Sequence, residues 1–407
     1  IVNSPRDVSF STFIGNPSLL GSRYASSDTP AQRHPVTGAW MPADPSPAQL
    51  REAMMLYTVM PLVSTPVRRA VAAFNAKYKL CDGRVPRSVL LYGPHGSGKS
   101  HLVQAAARAC GALLLNISAA NVEGKFVEKG GAAKLLHMVF EVAKDPAMAP
   151  VIIYIDDVDK LLPAGGGGKK KAAGSDSGPG RFKKDLATYI KSLTVEHSAL
   201  VIGCSSEPWE ADAKALAECF DKFLYTPCPD YGTRTKLWRT FLQAALAGAP
   251  ETMEHDAPAT SALTAMEMTS NTFGLNVAPP WRSSATSGSS SGGGGGGGMA
   301  SGSGPGVTDM RALLSTLPLT PASSSVSGER PSHLVDALNV SALSSVSNGY
   351  AAGSLRKAVF ANLTSRRLER LAQRPLAESE LLSSLARCPR VYADDNERFQ
   401  TFTDAVT

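Results

Sequence analysis

The chain has 407 residues, enough for two or three domains that each bury a core of their own. Its net charge of +6 comes from 41 basic and 35 acidic residues, a surplus too small at this length to indicate a nucleic-acid partner. The six cysteines have neither paired metal-ligand spacing nor the density of a disulfide scaffold, and no apolar run approaches the roughly 18 residues that span a bilayer. Composition therefore predicts a mildly basic globular protein with reduced thiols and with neither nucleic acid nor a membrane as its partner.

The beginning of the chain lacks a regular pattern. Residues 1–48 are rich in Ser, Pro and Gly and show no sustained period, so we expect an extended N-terminal arm that lies on a partner. Since the first residue is Ile1, we also expect further sequence upstream. From Leu50 and Met54 onward the apolar residues recur at helical spacing until Pro61, where the helix is predicted to end and a second to follow.

Residues 49–249 alternate apolar runs of strand length with longer helical stretches. Strands that are separated by crossover helices form a parallel, doubly wound sheet. The predicted fold class is therefore α/β, with a five-stranded parallel sheet. The predicted strands are Ser88 to Tyr92, Ala112 to Ile117, Val151 to Ile155, Ala199 to Cys204 and Phe223 to Thr226.

Two low-complexity segments interrupt this pattern. Residues 164–180 combine a glycine run with consecutive lysines and predict a disordered loop of the α/β domain. Residues 250–333 form a Ser- and Gly-rich insertion whose composition cannot bury a core. Residues 334–407 return to helical spacing, which predicts a small helical C-terminal lid domain followed by a tail.

A complete phosphate-binding motif follows the first predicted strand directly and precedes a predicted helix. Its glycines allow backbone N–H groups to turn inward around a β-phosphate, and the helix N-terminus adds positive potential. Lys99 is expected to reach the β- and γ-phosphates and Ser100 to ligate Mg²⁺, whereas His95 is expected to be an exposed loop residue. The predicted nucleotide-binding residues are Gly93, Pro94, His95, Gly96, Ser97, Gly98, Lys99 and Ser100.

The third predicted strand ends in two carboxylates, which is typical of a Walker B segment. Asp156 is expected near the metal ion, so Ser100 and Asp156 form the predicted Mg²⁺ site. Asp157 is expected near the attacking water. The alternative is a core strand with two capping acids. Together with the phosphate motif, the pair predicts ATP or ADP with Mg²⁺ as the ligand.

The order of these motifs resembles AAA ATPases, with Ser118–Glu128 between them and Val201–Pro208 after them. Four stretches are similar to the IQ-motif-and-AAA-domain proteins of motile cilia, a family that includes a subunit of the nexin-dynein regulatory complex. They are Leu115–Ser118, Asn121–Phe126, Leu136–Phe140 and Pro227–Tyr231.

The resemblance implies an AAA module in the cytoplasm and in the axoneme of a cilium or flagellum. The implied partners are other subunits of the dynein regulatory complex, the doublet microtubule and dynein. Family members carry calmodulin-binding IQ segments upstream. No IQ motif occurs in these 407 residues, so we expect any calmodulin site to lie outside this chain.

At three positions that serve hydrolysis in active AAA proteins, this chain carries a different residue. Walker B usually ends in Asp-Glu, whereas Asp157 is one methylene shorter and draws its carboxylate back from the water. The sensor position, usually Asn, is Ser206, which has a shorter reach. The arginine-finger positions correspond to Glu218 and Cys219, and nearby Lys222 lacks the planar fork of arginine. We therefore predict ATP binding with slow or absent turnover, and Asp157 and Ser206 are the candidate catalytic residues.

Two further residues have competing interpretations. Phe126 falls where AAA unfoldases carry an aromatic pore loop, and the alternative is an aromatic packed on a surface loop. Arg356 is a candidate second sensor of the γ-phosphate, or else a solvated helix charge. The leading function is a structural, nucleotide-binding subunit of the regulatory complex. The alternatives are an active AAA remodelling ATPase and a P-loop kinase, although no acceptor site for a kinase is recognisable.

Overall fold

The computed structural model describes residues 1–6, 8–17, 44–79, 84–126, 128, 130–164, 179–247, 335, 337–371 and 373–406. The chain divides into two units, and every described residue belongs to the one formed by Ile1–Thr264 and Pro331–Thr407. Residues 18–43 of the predicted arm, nearly all of the predicted loop at 164–180 and the predicted insertion at 250–333 lie outside the described residues.

A six-stranded sheet forms the centre of the α/β domain. Five of its strands are parallel, which confirms the predicted fold class. Their order is β1-β3-β4-β5-β2-β6, and the carboxyl ends of β2, β4 and β5 therefore meet at one edge of the sheet. The strands are β1 (Val2–Asn3), β2 (Ser88–Tyr92), β3 (Leu113–Asn116), β4 (Val151–Ile155), β5 (Ala199–Ser205) and β6 (Lys222–Tyr225).

Helices cover both faces of the sheet and build a separate C-terminal bundle. The first helix continues through a π-helix, Met55–Val59, and past Pro61, so the predicted end of the helix at this proline was wrong. The hydrogen bonds of the π-helix reach five residues back and change the helical register directly before Pro61. The helices are α1 (Pro47–Met54), α2 (Met60–Val63), α3 (Thr65–Tyr78), α4 (Lys99–Cys110), α5 (Ala119–Val122), α6 (Gly131–Lys144), α7 (Val158–Leu161), α8 (Lys183–Lys191), α9 (Ala213–Cys219), α10 (Tyr231–Leu246), α11 (Val340–Val346), α12 (Ala352–Asn362), α13 (Ser365–Glu369), α14 (Glu378–Leu385) and α15 (Ala393–Val406). Within the described ranges, no helix is both long and apolar enough to cross a bilayer.

The C-terminal bundle begins earlier in the chain than the sequence predicts. Helix α10 packs with α11, α12 and α14, and Trp238 is fully buried among them. The indole N–H of Trp238 donates a hydrogen bond to Ser347 Oγ at 3.1 Å, and Arg234 Nε donates to the Ser344 carbonyl at 2.9 Å. The helix that the sequence assigns to the end of the α/β domain therefore belongs to the helical core.

The last helix, α15, returns to the α/β domain, where the sequence predicts only a tail. Phe399 and Phe402 are buried in the core on one face of the sheet. The Phe402 ring meets Tyr92 edge-on at 5.1 Å between centroids, and Thr403 Oγ1 lies 2.9 Å from the Tyr92 hydroxyl. Helix α15 is thus anchored beside the strand residue that immediately precedes the phosphate motif.

Residues 1–6 and 8–17 pack on this chain itself, and the predicted contact of the arm with a partner stays a prediction. Val2 and Asn3 pair with β3. Without this pairing, β3 would form an open sheet edge with unpaired N–H and C=O groups. Phe10 and Phe13 pack against the apolar core that α4 covers. The isolated aromatic residues of this segment are therefore anchors to its own domain.

Candidate nucleotide-binding site

Residues 93–100, here called the phosphate loop, form the turn between β2 and α4. Gly93, Gly96 and Gly98 have φ angles of 150°, 78° and 102°, which side chains rarely adopt. A Cβ on Gly93 would lie 2.2 Å from the Thr226 carbonyl oxygen, and one on Gly98 would lie 2.7 Å from the Phe13 ring. Glycine is therefore required for both the turn and its close packing.

Thr226, which directly follows β6, supports the phosphate loop from the neighbouring strand. Its hydroxyl donates to the Tyr92 carbonyl at 3.0 Å and lies 3.0 Å from Ser97 Oγ. Both Thr226 and Ser97 are buried. The sequence interpretation missed Thr226, because only strand order places the end of β6 beside the end of β2.

The ammonium group of Lys99 lies inside the phosphate loop. It donates to the carbonyl oxygens of Gly93 at 2.7 Å and Pro94 at 2.8 Å, and Lys99 is only 6% exposed. Burial lowers the pKa of Lys99 to about 8, although Cys204 and Asp156 act in the opposite direction. The cation is thus held by neutral acceptors, and phosphate oxygens would supply the negative charge that these acceptors lack.

This low pKa predicts that nucleotide binding takes up protons. At about pH 8, roughly half of the free chains would carry a neutral Lys99, and a bound polyphosphate raises the pKa by favouring the ammonium form. Binding of ADP·Mg²⁺ should therefore take up roughly half a proton at about pH 8 and almost none at about pH 6. Calorimetry in two buffers of different ionisation enthalpy measures this uptake. A buffer-independent enthalpy near pH 8 would contradict it, and Lys99→Arg, which stays charged, is the control.

Ser100 and Asp156, the predicted Mg²⁺ ligands, converge on the hydroxyl group of Tyr154. This hydroxyl lies 3.1 Å from Ser100 Oγ and also hydrogen-bonds to the Asp156 carboxylate. Burial raises the pKa of Asp156, and the Tyr154 hydrogen bond opposes that effect. A hydroxyl and a carboxylate side by side are the hard oxygen ligands that Mg²⁺ takes in nucleotide sites, so these residues fit the ion.

Tyr154, which the sequence interpretation missed, is expected to position the two predicted Mg²⁺ ligands. Tyr154→Phe removes the hydroxyl but keeps the buried ring. Ser100 and Asp156 then lose the hydrogen bonds that orient their side chains. We expect the Mg²⁺-dependent part of ATP affinity to weaken about tenfold, while affinity in EDTA stays unchanged. Tyr189→Phe, which removes a hydroxyl bonded to the Ala133 carbonyl, is the matched control. If the ATP affinity of the two variants depended equally on Mg²⁺, Tyr154 would have no role in positioning the Mg²⁺ ligands.

Asp157 adopts the left-handed conformation, with φ of 49°, directly after β4. Its carboxylate accepts a hydrogen bond from Lys160 Nζ at 2.7 Å, and its side chain is 42% exposed. Its backbone N–H donates to Asp156 Oδ1 at 3.1 Å. The group predicted to polarise the attacking water is therefore engaged in an ion pair with a lysine of α7.

At the end of β5, Ser205 makes the hydrogen bond that connects this strand to α7. Its hydroxyl donates to Asp159 Oδ1 at 2.6 Å, and burial raises the pKa of Asp159. Ser206, the predicted sensor, is half-buried in the following bend and makes no side-chain hydrogen bond to any of the described residues. Its role in hydrolysis stays a prediction.

The helical bundle contacts the phosphate loop directly through two glycines. Gly353 N–H, in the first turn of α12, donates to the Gly96 carbonyl at 2.9 Å. A Cβ on Gly353 would lie 3.1 Å from Gly96 Cα, so the approach depends on glycine. Arg356 lies further along α12, over the Phe360 ring at 5.2 Å, and its role as a second sensor stays a prediction.

The remaining AAA-like positions have ordinary structural surroundings. Cys219 is buried in the core, Glu218 is exposed, and Lys222 Nζ lies 5.6 Å from the centroid of the Tyr57 ring. Phe126, the pore-loop candidate, is half-buried against the core of the α/β domain, although Val127 beside it lies outside the described residues. This placement favours the packed-aromatic interpretation of Phe126.

Comparison with known proteins identifies the class of domain. The sequence model of the ATPase family associated with various cellular activities (AAA) matches residues 89–228, which contain the phosphate loop, both Walker B carboxylates and Ser206. The chain therefore contains an AAA domain, and its observed strand order and helices agree with that class.

Individual proteins are similar to this chain over part of their length. The chain is 31% identical to dynein regulatory complex protein 11 of Mus musculus over 192 residues, which are 47% of this chain and 20% of the mouse protein. It is 35% identical to spastin of Ixodes scapularis over 160 residues, 39% of this chain and 23% of that protein. The matches thus span about a fifth of these relatives. The FIGL-1 AAA domain crystallised with ADP aligns at 16% identity and a TM-score of 0.49, covering 88% of this chain and 87% of that one. The mouse match confirms the predicted resemblance to an AAA-domain family of the dynein regulatory complex.

Proposed function

We propose that this chain is an ATP-binding structural subunit of the axonemal nexin-dynein regulatory complex, with weak or absent hydrolysis. One observation carries the proposal: a complete phosphate loop with a buried Lys99 stands beside a Walker B carboxylate that is paired with Lys160. The similarity to a dynein regulatory complex protein supports the partners, which are other subunits of that complex, the doublet microtubule and dynein. The proposed location is the axoneme, and the proposed role is complex assembly and regulation of ciliary motility.

In this proposal the nucleotide acts as a clamp between the α/β domain and the helical bundle. The phosphate loop already contacts α12 through the hydrogen bond from Gly353 to Gly96. A polyphosphate on the loop fixes its backbone and therefore the surface on which α12 rests. The ligand, ATP or ADP with Mg²⁺ on Ser100 and Asp156, thus stabilises one arrangement of the two parts without any need for turnover.

Three features of the site support slow hydrolysis. The carboxylate of Asp157 is shorter than the usual Glu and is paired with Lys160. Ser206 replaces the usual sensor amide and has a shorter reach. Cys219 stands at a predicted arginine-finger position and is buried in the core, so it offers no cation to a neighbouring nucleotide. None of these three features involves the groups that bind phosphate. All three concern groups that would activate the attacking water or stabilise the charge of the transition state.

The second candidate is an active AAA ATPase that remodels protein complexes, and the similarity to spastin favours it. This activity requires a working Asp157 and a cation supplied by a neighbouring subunit. Under this alternative, Asp157→Asn abolishes a turnover of several per second together with function in the cell. Under the structural proposal the chain has no such turnover, and the same substitution leaves function in the cell unchanged.

Incorporation into axonemes separates the two candidates. In motile cells that lack the protein, we expect the wild-type chain and Asp157→Asn to restore regulatory complex subunits to isolated axonemes equally. Lys99→Ala should restore them poorly, because the clamp lacks its ligand. If Asp157→Asn fails and Lys99→Ala fails with it, hydrolysis is required and the structural proposal is wrong. If both variants restore the subunits fully, nucleotide has no part in assembly.

A further inference from the structure

A cavity lies at the end of the sheet opposite the phosphate loop. It has a volume of about 300 Å³ and opens between α2, α3 and the amino ends of β2 and β5. Its walls are largely apolar, with contributions from Leu62, Leu193 and Leu200. The volume is at the lower end of the range for small-molecule sites, so the cavity suits a small group or a single inserted side chain.

The lining of this cavity carries four cationic side chains and a histidine whose pKa is lowered by burial. Its lining includes five basic residues and no carboxylate from the described part of the chain. Two acidic groups lie near these residues: Glu196 pairs with the exposed Arg69 at 2.8 Å, and Asp221 accepts a hydrogen bond from the Arg87 backbone N–H at 2.7 Å and lies 3.6 Å from Arg87 Nε. The five basic residues are Arg68, Arg84, Arg87, Lys191 and His197.

Arg68 places a buried positive charge at this cavity. It is 5% exposed, and its guanidinium donates to the carbonyl oxygens of Pro61 at 2.6 Å and Val195 at 2.9 Å, and to Ser198 Oγ at 2.8 Å. These acceptors are neutral, so they fix the guanidinium but do not cancel its charge. A buried cation is stabilised by a nearby anion, and the cavity is the place where one can approach.

Arg87 adds a donor that lacks an acceptor. Its Nε is buried and makes no hydrogen bond to the described residues, because Asp221 Oδ2 lies 3.6 Å away. Its Nη1 donates to the Lys191 carbonyl at 3.2 Å, which holds the side chain over the cavity rim. Buried polar groups in native proteins usually have a hydrogen-bond partner. A buried donor without one therefore indicates an acceptor that does not belong to the described residues.

We propose that this cavity binds an oxyanion, either a carboxylate or a phosphate group, at a site separate from the nucleotide. Arg68 supplies a fixed positive charge, Arg87 a buried Nε that lacks a hydrogen-bond acceptor among the described residues, and Arg84 and Lys191 charges at the exposed rim. The same chemistry would recognise free phosphate or an acidic side chain of a neighbouring protein. The proposal does not depend on the proposed function, because none of these residues belongs to the phosphate loop.

Calorimetric titration of the full chain with two probes tests this site. Inorganic phosphate and a hexaglutamate peptide are added separately to chain saturated with ADP·Mg²⁺, which occupies the phosphate loop. At least one probe should bind saturably and more weakly at higher salt. Binding of phosphate alone assigns the site to a free anion, and binding of the peptide assigns it to an acidic partner. Absence of binding by both probes would overturn the proposal.

Exposed rim residues provide variants that do not threaten the fold. The double substitution of Arg84→Gln and Lys191→Gln should weaken binding at least about tenfold, because two charge-assisted contacts are lost. Lys214→Gln removes the same kind of charge from exposed surface on α9 and should change nothing. Equal affinity in the double variant and the wild type would show that the probe binds elsewhere and would also overturn the proposal. If the chain takes up no ADP, this comparison is made without it and still isolates the cavity.

Discussion

Lys99→Ala is expected to weaken binding of both ATP and ADP at least about a hundredfold, a loss of roughly 2.7 kcal/mol of binding free energy. The ammonium group is the charged donor inside the phosphate loop, where it is almost completely removed from water. Charge-assisted hydrogen bonds to phosphate oxygens are strong in such surroundings. Calorimetric titration of each nucleotide with Mg²⁺ gives the affinity directly.

His95→Ala is the matched control, because His95 lies in the same loop but is exposed. Its affinity should stay within about twofold of the wild type. The thermal midpoint of nucleotide-free Lys99→Ala should be no lower than that of the wild type, since the variant no longer buries a cation without a carboxylate. A fully folded Lys99→Ala chain that binds ADP as tightly as the wild type would show that the phosphate site lies elsewhere.

Replacing Asp157→Glu together with Lys160→Ser should raise steady-state ATP hydrolysis by about tenfold to a hundredfold. The longer side chain extends the carboxylate by one methylene, and misplacement by about 1 Å can cost roughly a hundredfold in rate. Removal of Lys160 frees the carboxylate from the ion pair at 2.7 Å. Phosphate release under saturating ATP·Mg²⁺ measures the change.

Each single substitution should give a smaller increase than the pair, because either the reach or the ion pair still limits the carboxylate. Lys183→Ser is the control: it breaks another Lys–Asp ion pair, the one to Asp212 at 2.6 Å, and should leave hydrolysis unchanged. Asp157→Asn should lower the basal rate very little. A strong loss in Asp157→Asn, with no gain in the double variant, would show that Asp157 already activates water as it stands.

Local patterns were sufficient to predict the sheet and the phosphate loop. The strands β2, β4 and β5 are buried on both faces, so each is a largely apolar run whose length and neighbours define it. The phosphate loop is defined by spacing alone, and Gly93 and Gly98 are at the positions where a Cβ would collide. Both features depend on residues that are close in the chain.

The supporting contacts could not be predicted in the same way, because they join distant parts of the chain. Tyr154 looks like any apolar residue of a core strand until α4 brings Ser100 to its hydroxyl. Thr226 matters only because β6 lies beside β2. The pairing of Lys160 with Asp157 was within reach of the sequence, since residues three apart share a helix face, but its effect on hydrolysis depends on the turn after β4.

The chain ends were harder to assign for a related reason. The apolar side chains of residues 1–17 follow no regular period, and the strand pairing with β3 depends on an edge that the sequence does not reveal. Helix α10 follows the last strand directly, so chain order suggested the α/β domain, whereas its buried face, with Trp238, matches the helical bundle. Helix α15 shows the reverse case, because its buried Phe399 and Phe402 face the sheet.

We expect the chain to hold a nucleotide without rapid turnover. This expectation is tested by measuring nucleotide content and steady-state hydrolysis on one preparation of purified chain supplied with ATP·Mg²⁺. We predict about one bound nucleotide per chain and a turnover well below about one per second, since typical enzymes work near ten per second. A well-folded preparation that retains no nucleotide and gives no heat with ATP or ADP would contradict the binding site. Sustained turnover of several per second would contradict the structural role.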